Sequence, residues 1–139
     1  MNEIEMALDE EWGLVQITGK PKVLLLKGLS GFGKTAITRQ WLEKKGLKSY
    51  WIDAPAYIPL DFDTIQKINS KDIVFVIDNY CFAIEDIRTK LLPIIRKGVV
   101  HVAEEGQVEL ENLLFVVMLN DEEKDRLTGL ERNLFYSND

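Results

Sequence analysis

Short apolar runs alternate with amphipathic segments along this chain of 139 residues. Four runs have the length and composition of β-strands, at residues 22–27, 48–54, 72–79 and 112–120. The first, third and fourth are continuously apolar at their centres, which is typical of strands buried on both faces of a sheet. The second is rich in aromatic and β-branched residues, which also favour strands.

Apolar residues at helical spacing lie between these runs. Residues 33–45 are predicted to form a helix that Gly46 ends, and residues 61–70 a short helix with an aspartate cap. Residues 83–92 form a third helical pattern, and Pro93 is expected to end or kink that helix. Each predicted helix therefore connects two predicted strands.

Residues 98–110 have the pattern of a β-hairpin, with its turn around Glu105 and Gly106. The alternation of strands and helices predicts βαβ units, and hence an α/β fold with a mostly parallel sheet. We expect about five strands in this sheet, between two layers of helices. No repeat, linker or low-complexity tract interrupts the pattern, so residues 1–139 are expected to form a single domain.

Polar residues follow three of the predicted strands at the point where each strand ends. These are the segment 28–35, Asp78 and Asn120. Because the carboxyl ends of parallel strands meet at one edge of a sheet, all three are expected to lie together. Ligands of open α/β sheets bind at this edge, so the sequence predicts a binding site there.

The segment "GLSGFGKT" has the spacing of a phosphate-binding loop, with two glycines separated by four residues and then Lys and Thr. Such loops point backbone N–H groups at phosphate oxygens, and the following helix adds the positive end of its dipole. Lys34 is predicted to reach the β- and γ-phosphates and Thr35 to bind Mg²⁺. The predicted nucleotide-binding residues are Gly28, Leu29, Ser30, Gly31, Phe32, Gly33, Lys34, Thr35 and Ala36.

Asp78 ends the most apolar strand and is the predicted second Mg²⁺ ligand, opposite Thr35. Asn79 follows it, and many P-loop ATPases have a glutamate there that polarises the attacking water. An amide is a poor general base, although it can orient a water molecule. Two alternatives follow: hydrolysis is slow, or another carboxylate such as Glu85 serves as the base.

Composition limits the classes of function that remain. The net charge of −6 argues against non-specific binding of nucleic acid by the monomer, because such binding depends on clustered Lys and Arg. Cys81 is the only cysteine, so no intramolecular disulfide forms. No apolar stretch reaches the roughly 20 residues of a membrane span, and the acidic N-terminus resembles no targeting signal. We therefore expect a cytoplasmic protein, and we interpret the acidic segment "NDEEKD" as a solvated face.

These motifs together resemble the AAA+ ATPases, a family with a three-layer αβα P-loop NTPase fold. "GLSGFGKT" is similar to their Walker A loop, "VFVIDN" to their Walker B strand and "LLFVVMLN" to their sensor-1 strand. The segment "KLLPIIRKGVVHVAEEGQVELENLLFVVMLN" resembles the dynein-related, MoxR-like branch, in which a hairpin is inserted before the sensor-1 strand. In that branch a helical lid follows, and the chain ends where this lid is expected to begin.

The resemblance implies ATP and Mg²⁺ as cofactors and a homo-oligomer, with a ring as one form. Asn120 takes the sensor position, and Lys34, Asp78 and Asn79 complete the catalytic set with it. Arg132 becomes the arginine finger given to a neighbouring subunit, with Arg126 as the alternative. The implied activity is ATP hydrolysis that remodels or loads a protein or nucleic-acid partner.

Two other functions fit the same motifs. The first is a nucleotide-dependent switch or adaptor with little hydrolysis, which the amide at Asn79 and the missing lid favour. The second is a small-molecule kinase, because the phosphate loop also resembles those of sulfate-nucleotide and sugar kinases. Kinases need arginines over the phosphates, and only Arg88 and Arg96 lie in the middle of this chain.

Overall fold

The computed structural model describes residues 2–31, 33–69, 73–111 and 114–137. Its helices are α1 (Glu3–Thr18), α2 (Lys34–Lys45), α3 (Phe62–Asn69), α4 (Glu85–Lys97) and α5 (Gly129–Tyr136). Its strands are β1 (Lys22–Gly28), β2 (Lys48–Asp53), β3 (Ile73–Asp78), β4 (Val99–Val102), β5 (Gly106–Glu109) and β6 (Leu114–Asn120). Short 3₁₀ turns occur at Ala54–Ala56, Tyr80–Phe82 and Asp121–Arg126.

The main sheet has the strand order β1-β6-β3-β2, and each neighbouring pair is parallel. The predicted α/β fold with a mostly parallel sheet is confirmed. The described residues place four strands in this sheet, where about five were expected. The two hairpin strands, β4 and β5, pair antiparallel with each other and form a separate small sheet before β6.

Alternate residues of the central strands face two apolar layers, as the period of two in a strand requires. Val76 and Val116 pack with Trp41 of α2 and Leu8 of α1 on one face of the sheet. The opposite face packs against α3, α4, α5 and the hairpin, and Phe75 belongs to it. Because both faces are covered, the central strands carry the continuous apolar runs seen in the sequence.

Helix α4 does not end at Pro93, which was one of the two outcomes predicted for this proline, an end or a kink. The helix continues four residues past Pro93 to Lys97 and stops at Gly98, which has a left-handed φ of 63°. Proline removes one backbone donor, yet Ile94 and Ile95 beyond it are buried in the core. Burial of these side chains stabilises the last turn of the helix despite the missing hydrogen bond.

A buried ion pair fastens α5 to the rest of the fold. The Arg88 guanidinium lies 3.0 Å from a carboxylate oxygen of Glu131, and their side chains are 4% and 2% exposed. Glu131 also accepts hydrogen bonds from the Tyr80 hydroxyl and from the backbone N–H of Thr128. Arg88 in turn donates to the carbonyl oxygen of Arg126, at 2.9 Å. This network, which we call the Arg88–Glu131 network, anchors the end of the Asp121–Arg126 turn.

None of the helices in the described part of the chain is both long enough and apolar enough to cross a membrane.

Candidate functional site

The phosphate loop joins β1 to α2 and depends on two glycines in the left-handed region. Gly31 has a φ of 86° and Gly33 a φ of 87°. Side chains of L-residues rarely adopt this conformation, and a Cβ at Gly33 would also lie 3.4 Å from the Ile37 Cδ1 atom. Gly33 occupies the N-cap of α2 without a side-chain hydrogen bond to the helix. The first N–H groups of α2 therefore have no side-chain cap and are suited to bind an anion.

Lys34 lies folded over this loop. Its ammonium donates to the carbonyl oxygens of Gly28 and Leu29, each at 3.0 Å, and the residue is 8% exposed. A lysine held by neutral carbonyl groups keeps its charge available to a stronger acceptor. A phosphate oxygen is such an acceptor, because hydrogen bonds between two ionised groups are the strong ones.

Thr35 and Asp78 meet across the site. The Thr35 hydroxyl donates to Asp78 Oδ2 at 3.0 Å, and Asp78 Oδ1 accepts from the backbone N–H of Asn79 at 2.8 Å. Carboxylate and hydroxyl oxygens are the ligands that Mg²⁺ prefers, and this ion keeps several ligands from phosphate and water. The two side chains and the open space beside them fit such an ion.

A cavity of about 300 Å³ lies over these groups. The residues that line it are Ser30, Gly31, Gly33, Lys34, Thr35, Ala36, Asp78, Asn79 and Asn120. A second cavity of about 300 Å³ lies between α4 and the hairpin, but its lining includes neither a carboxylate nor any residue of the phosphate loop. The chemistry of the lining therefore singles out the first cavity, because a phosphate chain needs converging donors and a cation site.

Asn120 ends β6 directly beside Gly28, its partner in the register with β1. It is 5% exposed, and its Nδ2 donates to the Ser30 hydroxyl oxygen at 2.8 Å. Its Oδ1 is buried and has no hydrogen-bond partner among the described residues. A buried acceptor of this kind is costly unless a donor reaches it, so Asn120 is suited to bind a water or a ligand hydroxyl at the cavity.

Asn79 has a left-handed backbone, with φ 57°, and its side chain turns toward the neighbouring strand. Its Nδ2 donates to Asp53 Oδ1 at 3.1 Å. Asp53 ends β2 and pairs in register with Asp78. Sequence reasoning did not identify Asp53, although an aspartate ends each of two neighbouring strands. Both aspartates stand at the ends of predicted strands in the sequence. The sequence alone does not show that these two strands are neighbours, which is what brings Asp53 beside Asp78.

Glu122 is the second residue that sequence reasoning missed. Its Oε2 accepts from the backbone N–H of Ser30 at 2.8 Å and its Oε1 from the Ser30 hydroxyl at 2.6 Å. These hydrogen bonds, with the nearby Lys34 charge, hold the pKa of Glu122 below its ordinary value. Glu122 is exposed, in agreement with the interpretation of "NDEEKD" as a solvated face, but its carboxylate also contacts the phosphate loop.

The other predicted residues lie away from the cavity lining. Arg132 is exposed and donates to the Leu127 carbonyl at 2.7 Å, and Arg126 lies over the Phe82 ring. Glu85 is exposed in the first turn of α4 and does not line the cavity. Gly28 and Leu29 contribute the carbonyl groups that hold Lys34. The predicted residue Phe32 lies outside the described residues.

Strand order, loop and helix placement together define an α/β fold of the P-loop NTPase kind. Three mutants of Thermotoga maritima RuvB superpose on 96% of this chain with a TM-score of 0.58 and 14% to 16% sequence identity. NtrX from Brucella abortus in complex with ATP superposes on 93% of the chain, with a TM-score of 0.50 and 11% identity. These proteins are AAA+ P-loop ATPases, and the likeness shows the fold.

The chain spans 42% of the RuvB chains and 30% of the NtrX chain. The sequence matches no protein-family model and no curated protein. At this level of identity the residues of the site, rather than the likeness, have to support any function.

Proposed function

We propose that the chain binds ATP with Mg²⁺ at the phosphate loop. One observation carries the proposal: Lys34, Thr35 and Asp78 converge on one cavity at the carboxyl ends of β1 and β3. The uncapped first turn of α2 adds N–H donors and a positive dipole end, which complement a polyphosphate. ATP is the nucleotide of choice because the NtrX structure, which has the same fold, contains it.

Each residue has a definite role in this proposal. Lys34 exchanges the carbonyl oxygens of Gly28 and Leu29 for the β- and γ-phosphates, because ionised acceptors bind an ammonium more strongly. Thr35 and Asp78 hold Mg²⁺, which neutralises part of the phosphate charge when bound. The cavity of about 300 Å³ is of a size suited to the phosphate chain rather than the whole nucleotide.

Calorimetric titration with MgATP tests the proposal. We expect Lys34→Ala to weaken binding by about a hundredfold or more, because a charged donor to two phosphates is lost. Lys20→Ala is the matched control, since Lys20 is exposed and lies outside the cavity. Equal affinity of the parent and Lys34→Ala would disprove the assignment of the loop.

We further propose that bound ATP is hydrolysed slowly. Asn79 cannot act as a general base, and its amide is bound to Asp53. Asn79→Glu alone would place two carboxylates against each other, so the informative variant combines it with Asp53→Asn. This double variant keeps an amide–carboxylate pair and adds the missing base beside the cavity. We expect its turnover to exceed that of the parent. Unchanged turnover would exclude Asn79 as the cause of slow hydrolysis.

A nucleotide-dependent switch with little hydrolysis is the second candidate, and the amide at Asn79 favours it. In this case ATP binding orders a surface that a partner recognises. Tight MgATP binding without measurable phosphate release, in a protein that changes its partner affinity with ATP, would support the switch.

The kinase alternative loses support, because Arg88 is buried in an ion pair with Glu131 and cannot reach a phosphate.

The ATPase is proposed to act as a homo-oligomer, with a ring as one form, that remodels or loads a protein or nucleic-acid partner. Arg132 and Arg126 are exposed and do not line the cavity of their own chain, which an arginine that acts on a neighbouring subunit requires. An arginine finger contributes roughly 10³–10⁵ in rate where it operates. Turnover per subunit should rise with protein concentration and fall in Arg132→Ala, with Arg126→Ala as the comparison.

The finer classification is also a proposal. The hairpin β4–β5 before β6 supports the MoxR-like branch, with residues 1–139 forming one domain. Cys81 is a free, buried thiol, which is compatible with a reducing compartment, and we propose a cytoplasmic location.

Light scattering with and without a non-hydrolysable ATP analogue tests the proposed oligomer. Growth in molar mass on addition of the analogue supports the oligomer, and an unchanged monomer contradicts it.

A further inference from the structure

The carboxylate of Glu122 sits on the phosphate loop itself. Glu122 lies in the Asp121–Arg126 turn, two residues beyond Asn120. It binds Ser30 through both the backbone N–H and the hydroxyl group, and Asn120 donates to the same hydroxyl oxygen. Ser30 is therefore held by two side chains from one segment, although it is 92 residues away from Glu122 in the chain.

Ser30 belongs to the loop whose N–H groups are suited to phosphate. Ser30 lines the cavity together with Lys34 and Thr35. A carboxylate and a phosphate are the same kind of ligand for such a loop, because each offers anionic oxygen acceptors. The low pKa of Glu122, which the Ser30 hydrogen bonds and the Lys34 charge maintain, means that the carboxylate is ionised at neutral pH. The loop thus already carries an internal anion.

We propose that Glu122 is a built-in competitor of the terminal phosphate, which must leave the Ser30 N–H before a triphosphate fills the loop. This inference rests on the proposed binding of nucleotide at the loop. A carboxylate and a phosphate repel each other at one amide and the neighbouring ammonium, and solvent screens part of this repulsion. Glu122 is exposed, so its carboxylate can turn into water without a desolvation penalty.

Release of Glu122 links the phosphate site to a surface. The Asp121–Arg126 turn follows β6 and is anchored at its far end by Arg88, which donates to the Arg126 carbonyl. When Glu122 leaves Ser30, the turn keeps the hydrogen bond from Tyr136 to Asp121 but loses its own direct contact with the phosphate loop.

The experiment compares the parent with Glu122→Gln and Glu122→Ala by calorimetric titration, using MgATP and inorganic triphosphate as ligands. Glu123→Gln is the matched control, since it removes the same charge from the same turn. We expect both Glu122 variants to bind about three- to tenfold more tightly than the parent, from the lost hydrogen bonds and repulsion discounted for solvent exposure. The control should stay within about twofold, and the gain should shrink in high salt because repulsion is screened.

The outcomes separate this inference from the proposed function. If the parent binds MgATP and neither Glu122 variant binds more tightly than it, the competitor is disproved while the nucleotide site stands. If the parent does not bind but the variants do, the competitor is supported and the proposed function of the parent chain fails. If no protein binds either ligand, both ideas fall.

A second measurement follows the contact directly. In the ligand-free parent, the Ser30 amide resonance should shift as Glu122 titrates, at a pH below the ordinary pKa of a glutamate because the Ser30 hydrogen bonds and the Lys34 charge lower the pKa of Glu122. With MgATP bound, this dependence on Glu122 should disappear, because the carboxylate has left the amide. Its persistence in the ATP complex would overturn the inference.

Discussion

Removal of Arg88 should destabilise the fold more than any exposed substitution. Arg88→Met leaves the Glu131 carboxylate buried with the hydrogen bonds from Tyr80 and Thr128 but without its positive partner. Both side chains of the pair are almost fully buried, so solvent screens their interaction little. Breaking such a pair costs about 3–5 kcal/mol, because an uncompensated charge remains in the interior. For a chain of this length, this corresponds to a fall in the melting temperature of about 10–20 °C.

The pH dependence gives the same prediction a second, independent test. Burial alone would raise the pKa of Glu131, but the hydrogen bonds from Thr128, Tyr80 and Arg88 lower it below its ordinary value of 4.5. A carboxylate with a lowered folded pKa stabilises the fold above its unfolded pKa, and this stability is lost as the pH falls through the folded pKa. Without Arg88 the folded pKa of Glu131 rises, so Arg88→Met should lose less additional stability on acidification than the parent.

Urea unfolding at neutral and acid pH measures both effects. Arg96→Met is the matched control, because Arg96 is an exposed arginine in the last turn of the same helix. Adding Glu131→Gln to Arg88→Met should recover about 1–2 kcal/mol, because the orphaned charge is removed. The reasoning is refuted if Arg88→Met costs less than about 1 kcal/mol, as an exposed ion pair does, or if its loss on acidification equals that of the parent.

Two further predictions concern the phosphate loop and its metal. Asp78→Asn should weaken MgATP binding by about tenfold but leave ATP binding in a metal chelator nearly unchanged, and an equal loss in both titrations would contradict a role at Mg²⁺. Gly33→Ala should cost about 1–2 kcal/mol in urea unfolding, because its φ of 87° is a conformation that residues with a Cβ rarely adopt. Gly129→Ala, at a helical glycine with no atom within 4 Å of the added Cβ, should leave stability unchanged or slightly raised, and similar losses in both variants would contradict the reasoning.

Much of the fold could be predicted because its signals are local. The apolar cores of β3 and β6 are long enough to require burial on both faces, and helix stops such as Gly46 lie where the backbone needs a left-handed residue. The phosphate loop is equally local, since glycine spacing and the following Lys34 occupy a few consecutive residues. Even the meeting of Thr35 with Asp78 followed from the rule that parallel strands end at one edge.

Other features depended on which strands are neighbours and on what fills the interior. The order β1-β6-β3-β2 places Asp53 beside Asp78, and with it the contact that holds Asn79. The extension of α4 beyond Pro93 required knowledge of the core that buries the last turn. These outcomes depend on tertiary packing. Burial of apolar side chains stabilises a buried helix by several kcal/mol, which outweighs the local preference of a proline to end it.

The sequence by itself determined the strands, the glycine loop and the edge of the sheet at which the polar groups gather, because each follows from the conformation or period of consecutive residues. Only the tertiary structure decided that Glu122 lies on Ser30 and that Arg88 pairs with Glu131. Those contacts join residues 92 and 43 positions apart. A charged residue has no periodic signature for its partner, so its role appears only when the chain brings the partner within hydrogen-bond distance.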